Sequence, residues 1–162
     1  DIKIKIPAGI DNGQSIRFSE KDVRPMGRTA AGVRGIRLKK NDVVVGMAVI
    51  SPAEVKRGAM ELFTLAENGL GKRTNLTEYK VQGRGGSGIK TAQVTTKTGA
   101  LINAQVLDSA ATEIITVSKH GQVIRTTLAE IPSLGRQTQG VRIMKLRTGD
   151  TLASLTCLAP VV

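Results

Sequence analysis

Three stretches of this chain, "NGQSIRF", "NGLGKRT" and "HGQVIRT", begin the same pattern three times over. Their glycines, Gly13, Gly69 and Gly121, lie 56 and 52 residues apart. Four positions after each comes arginine: Arg17, Arg73 and Arg125. Nine positions on is an acid (Asp22, Glu78, Glu130), followed at once by an apolar residue (Val23, Tyr79, Ile131). Fourteen on is Gly27, Gly83 or Gly135, and next to it Arg28, Arg84 or Arg136. A second glycine (Gly32, Gly88, Gly140), an apolar residue and then Arg34, Lys90 or Arg142 complete the register, without a gap in any copy. A pattern held this long is a structural unit used three times, and such a unit must bury its faces against its neighbours.

Each unit reads as β structure. "ALINAQVL" sets Ile102, Ala104 and Val106 against Asn103 and Gln105, and "TLASLTCL" sets Ala153, Leu155 and Cys157 against Ser154 and Thr156. Alternation of this kind marks a half-buried strand. "VVVGMAVI" puts Val45, Met47 and Val49 in the same register, although its other face is apolar too. The runs "ELFTLAENG" and "TEIITVSKHG" lead into hairpin signals at Asn68-Gly69 and His120-Gly121. No amphipathic helix of useful length is visible, and "SPAEVKRGAM" offers a turn or two between units. About four short strands per fifty residues predicts propeller-like blades. The expected organisation is one all-β, three-unit arc of four-stranded repeats, over about 1–54, 55–108 and 109–162. "KIPAGIDN" departs from the other units by placing Pro7 inside the expected first strand, so pairing at that edge is expected to depart from the pattern.

Charge narrows the partner. The 162 residues carry 24 Lys and Arg against 13 Asp and Glu, a formal net charge of +11, and the excess is spread over all three units. An even basic field suits a long polyanion. Aromatic side chains are limited to Phe18, Phe63 and Tyr79, too few for the stacking platform that single strands need. Duplex nucleic acid held by its backbone is therefore expected, with contacts at Arg17, Arg28, Arg34, Arg73, Arg84, Lys90, Arg125, Arg136 and Arg142. Arginine's planar fork suits phosphate oxygens, and the glycines beside Arg28, Arg84 and Arg136 let the backbone approach. Such contacts position DNA without reading its sequence.

Catalysis and cofactors find no support. There is no phosphate-loop motif, no Cys/His metal spacing and no nucleophile–base constellation. The recurring acids fit turn bonds or ion pairs, Tyr79 aligns with packing residues, and His120 has no counterpart in the other units. The single cysteine, Cys157, excludes an internal disulfide, and no apolar run approaches the roughly 18 residues of a membrane span. Because it begins at Asp1, the chain reads as an excised piece.

"SIRFSEKDVRPMGRTAAGVRGIRL", "ENGLGKRTNLTEYKVQGRGGSGIKT" and "IRTTLAEIPSLGRQTQGVRIMKL" resemble consecutive repeats of the C-terminal domain of DNA gyrase A, over roughly residues 11 to 158. The resemblance implies the last three blades of a β-pinwheel of about six, in which neighbouring blades exchange a strand and a basic rim wraps duplex DNA in support of negative supercoiling. The family's glycine- and arginine-rich box is matched in degenerate form by Gln82, Gly83, Arg84, Gly85, Gly86, Ser87 and Gly88, without its second arginine and its lysine. Implied partners are duplex DNA, the rest of gyrase A and its companion gyrase B; no cofactor and no membrane are implied. The implied location is the bacterial cytoplasm, at the nucleoid. A topoisomerase IV counterpart and a protein-binding propeller module with a basic surface are the alternatives. Three blades form an open arc, which either stays monomeric or pairs as a homodimer into a six-blade ring.

Overall fold

The computed structural model describes the backbone of residues 2–8, 14–18, 29, 31–50, 52–107 and 110–159, and the side chains of those from 29 onward. The first unit supplies β1 (Ile2–Ala8), β2 (Gln14–Phe18) and β3 (Val43–Ile50). A single turn of helix, α1 (Pro52–Lys56), leads to β4 (Glu61–Ala66), β5 (Leu70–Asn75), β6 (Ile89–Lys90) and β7 (Leu101–Leu107). The third unit supplies β8 (Glu113–Ser118), β9 (Val123–Thr127), β10 (Val141–Arg142) and β11 (Leu152–Leu158). The chain is all-β, as its alternating runs predict.

Three antiparallel sheets result, in the orders β3-β1-β2-β6, β7-β4-β5-β10 and β11-β8-β9. Each short strand crosses to the preceding unit's sheet: β6 pairs with β2, and β10 pairs with β5. The sheets are therefore out of phase with the sequence units, and the third has three strands among the described residues. The long strands are joined by hairpins at the expected places. Gly69 donates its N–H to Ala66 O and Gly121 donates to Ser118 O, each with φ near +80°, a conformation only glycine adopts without strain.

At the first edge, β1 pairs with both β2 and β3 despite Pro7. The register on β3 shifts between Ile6 and Pro7, and a bulge of this kind accommodates a residue without an N–H.

Two of the three apolar clusters among the described residues form long seams between the sheets. Between the first two sheets lie Ile50, Val55, Leu62, Leu76, Tyr79 and Ala104; between the second and third lie Phe63, Leu65, Ile114, Ile143, Leu152 and Leu155. One expected face is corrected. Met47 and Val49 are exposed, and only Val45 of their register is tucked against the core. The inward register holds Gly46, where an added Cβ would run into Ala104 O, so β3 and β7 meet backbone to backbone and leave no room for larger residues. In β11 a register shift between Leu152 and Ser154 breaks the expected alternation: Leu155 is buried, Cys157 half-buried, and Ala153 exposed.

Candidate nucleic-acid interface

The recurring cations divide into two kinds. One kind, Arg73 and Arg125, four positions after the hairpin glycine, pairs with an acid across its own sheet. Arg73 donates from Nη1 to Glu61 Oε2 at 2.9 Å and from Nε to Ile131 O at 2.7 Å, leaving its side chain 23% exposed. Arg125 repeats the cross-strand pair with Glu113, with Nε 2.9 Å from Oε2, but on an open surface at 65% exposure. That carboxylate raises the guanidinium's pKa further through hydrogen bonding and charge. In the first unit β2 places Arg17 opposite Ile4, and its side chain lies outside the described residues.

The second kind gathers where one unit meets the next. Arg136 reaches back into the second unit, donating from Nη1 to Lys90 O at 3.1 Å. Its backbone N–H bonds Glu78 Oε2 at 3.2 Å, with Nε 3.9 Å from the same oxygen. Of the recurring acids, Glu78 thus serves a neighbouring arginine. The preceding seam has the same backbone plan. Gly85 N–H donates to Gly35 O at 2.8 Å and Arg37 N–H to Gly86 O at 2.9 Å, while Gln93 N–H donates to Thr138 O at 3.1 Å one unit later. Arg34 and Arg84 therefore flank a backbone bond between their units, as Lys90 and Arg136 meet one unit later; Arg34, Arg84 and Lys90 are exposed and Arg136 is half-buried. Arg142 is exposed at the corresponding place in the third unit, and Arg28 lies outside the described residues. The degenerate box is part of this seam through Gly86, which bridges Ile36 in parallel, and Gly85; Gln82 is half-buried.

Two recurring glycines differ in cause. Gly32, Gly88 and Gly140, which precede the exchanged strands or their counterpart, have φ of +79°, +80° and +85°. Gly83 and Gly135 have ordinary backbone, and nothing lies within 4 Å of where a Cβ would stand. The fold itself does not require glycine there.

One functional candidate escapes the repeat pattern. Lys72 occupies the position held by Ile16 and Ile124 in the other units, and its residue is only 1% exposed. Its Nζ donates to Gly135 O and Arg136 O, each at 2.6 Å, and to Thr138 Oγ1 at 3.1 Å. Burial lowers its pKa to about 8, partly offset by Glu78 and reinforced by Arg136. The only sequence signal for it is a lysine where its siblings are isoleucine. Nearby Tyr79 is buried in the core, and burial raises its phenol to about 12, which suits packing and not nucleophilic attack. Among the described residues no group of three His, Cys, Asp or Glu side chains is placed to hold a metal, and no helix is long and apolar enough to cross a membrane.

The family model described as the DNA gyrase C-terminal domain, a beta-propeller, matches residues 11–51, 61–108 and 112–159. The DNA gyrase A of Mycolicibacterium smegmatis is 43% identical over 146 residues, covering 89% of this chain and 16% of that protein. The DNA gyrase A of Staphylococcus epidermidis is 40% identical over 147 residues, again 16% of its length. A solved DNA gyrase A C-terminal domain superposes with a TM-score of 0.79 at 28% identity, covering 97% of this chain and 50% of that one. A C-terminal domain of DNA topoisomerase IV superposes at 0.83 with 18% identity, a likeness of fold.

Proposed function

The chain belongs to the DNA gyrase C-terminal domain family, and from that premise we propose that its rim binds duplex DNA through the phosphate backbone and wraps it, without sequence preference, in support of negative supercoiling. The observation that carries this reading is the repeated cationic seam, Arg34 with Arg84 and then Lys90 with Arg136, on equivalent backbone. The bare positions at Gly83 and Gly135 add to it, since exposed backbone beside each arginine gives a phosphate chain room to come close. Arg142, and Arg28 by its place in the repeat, extend the same track. Arg73 and Arg125 contribute less, because Glu61 and Glu113 already neutralise them.

Magnitudes require many contacts acting together. Bending 20–30 bp by 40–90° costs on the order of 1–6 kcal/mol, whereas one exposed charge pair is worth about 0–1 kcal/mol. Wrapping by backbone contacts and deformability alone has a physical precedent in the histone octamer. In its cellular setting the proposed module is a non-catalytic part of gyrase, an ATP-dependent type IIA topoisomerase. It acts there with the rest of gyrase A and with gyrase B, in the bacterial cytoplasm at the nucleoid. The 43% identity to a DNA gyrase A favours gyrase over the topoisomerase IV alternative.

Fluorescence anisotropy with a short duplex tests the binding. If about six phosphates are neutralised, log affinity falls against log salt with a slope of roughly −5, and shuffled sequences bind alike. A slope near zero removes the phosphate-track reading and leaves the protein-binding module. Relaxation of closed DNA circles in the protein's presence reads the wrap itself, as a shift of linking number in one direction.

A further inference from the structure

The seam that carries Arg136 buries a full positive charge, although isoleucine fills the same position in both sibling units. Burying an ammonium is costly unless its donors are matched. Here they are: three donors meet Gly135 O, Arg136 O and Thr138 Oγ1. The Thr138 hydroxyl gives its own proton to Gly135 O at 2.9 Å, which leaves its lone pair for Lys72. The loop is held from its other sides as well. Leu134 N–H donates to Arg73 O, Leu134 O accepts from Thr74 Oγ1, and Arg136 N–H donates to Glu78. Lys72 is the member of this set that can lose a donor by titration.

We propose that Lys72 is a positioning residue for the DNA-binding rim: its ammonium fixes the Gly135–Thr138 loop that presents Arg136, and loss of its proton weakens the grip on DNA. The proposal rests on the reading that Arg136 meets phosphate. A neutral amine has two donors for three acceptors, so the cluster's four hydrogen bonds fall to three, either by loss of the Lys72–Thr138 bond or by the hydroxyl turning from Gly135 O to the amine lone pair. Deprotonation also removes one positive charge from directly beneath the rim. The charged groups facing Lys72 are Glu78, from the 3-10 turn after β5, and Arg136, from the loop itself. Glu78 holds the proton on and Arg136 drives it off, so a phosphate that neutralises Arg136 strengthens Lys72's hold on its proton. Binding and protonation are therefore linked.

The sign of this linkage separates positioning from mere stability. Burial favours the neutral form in the folded state, so folding stability rises as pH climbs from about 8 toward 10.5. DNA affinity falls across the lower part of the same window. A residue that only held the fold would move both in one direction.

The test is duplex affinity of the 162-residue protein at fixed salt, from about pH 6.5 to 9.5, beside Lys72→Met and Lys72→Arg. The wild type is expected to lose about three- to tenfold in affinity with a midpoint near or above 8. Lys72→Met should bind more weakly at pH 7 with a flat profile; this comparison also removes the terminal amine and Cys157 as sources of the change. Lys72→Arg, which keeps its charge, should restore low-pH affinity and stay flat. Should the variants fail to fold, calorimetry of the wild type at about pH 8.5 in two buffers of different ionisation enthalpy counts the protons taken up on binding. Flat wild-type affinity with no proton uptake overturns the proposal. So does a Lys72→Met protein that folds and keeps the wild-type profile. Absence of duplex binding at every pH overturns both this proposal and the reading beneath it.

Discussion

Identical residues in a repeat need not do identical work. Arg73 and Arg136 are both recurring arginines, yet Arg73 is spent on Glu61 and Ile131 O inside the fold, while Arg136 lies across Lys90 at a seam. The two should therefore separate under mutation. Arg73→Ala leaves Glu61 half-buried without its cation and should cost about 1–3 kcal/mol of stability in thermal melting, with the salt slope of DNA binding nearly unchanged. Arg136→Ala, which gives up one hydrogen bond to Lys90 O, should cost about 1 kcal/mol or less in melting, weaken duplex binding, and make the salt slope shallower by about one. Reversal of that assignment would show that the seam is not the phosphate track.

At the scale of elements, the two-residue strands fasten one unit to the last. β10 is held by Val141 and Arg142 opposite Gly71 and Leu70, and the buried Ile143 that follows packs against Gly71. Gly140, at φ +85°, enters this strand where a side chain would run into Gly71 O. Ile143→Ala should cost about 2–4 kcal/mol and speed hydrogen exchange at the amides of Ile143 and Met144, both bonded to Gly69 O, more than in β8. Much of this level was legible in the sequence. The hairpins at Gly69 and Gly121, the strand runs and the positive-φ glycines all repeat in register, and repetition reports backbone demands that every unit shares. What one unit does differently was not legible. Met47 and Val49 alternate as a core face should, but the close approach of Gly46 to Ala104 lies in another unit, out of reach of a periodic pattern. Lys72 makes sense only beside carbonyls 63 and 64 residues away. The engagement of Arg73 depends on Glu61, an acid whose recurrence as Glu113 lies upstream of the hairpin glycine.

Over the whole molecule, the first and last sheets differ at one edge among the described residues. β9 is an outer strand with Val123 65% and Ile124 37% exposed, and in the other two sheets the matching edge receives a short strand from the next unit. Val33 and Arg34, the first unit's counterpart of those short strands, are exposed and outside any strand. We expect two copies of this chain to engage head to tail, Val33–Arg34 of each adding to β9 of the other, as a closed pair. Light scattering should give twice the monomer mass at micromolar concentration, and Ile124→Lys should halve it; a single mass unaffected by that change would leave an open monomer. The crossing of β6 and β10 into the sheet before them bears equally on how such a protein is shortened or lengthened. A cut placed at the border of a sequence unit severs a sheet from the hook that completes it, so trimming by whole repeats leaves one frayed layer and one stray tail. A break just after the hook keeps the layer before it whole but parts the next layer's first two strands from its last, so no single cut between the described strands frees two complete layers, and gain or loss by whole units must leave an unpaired hook or an unfilled edge.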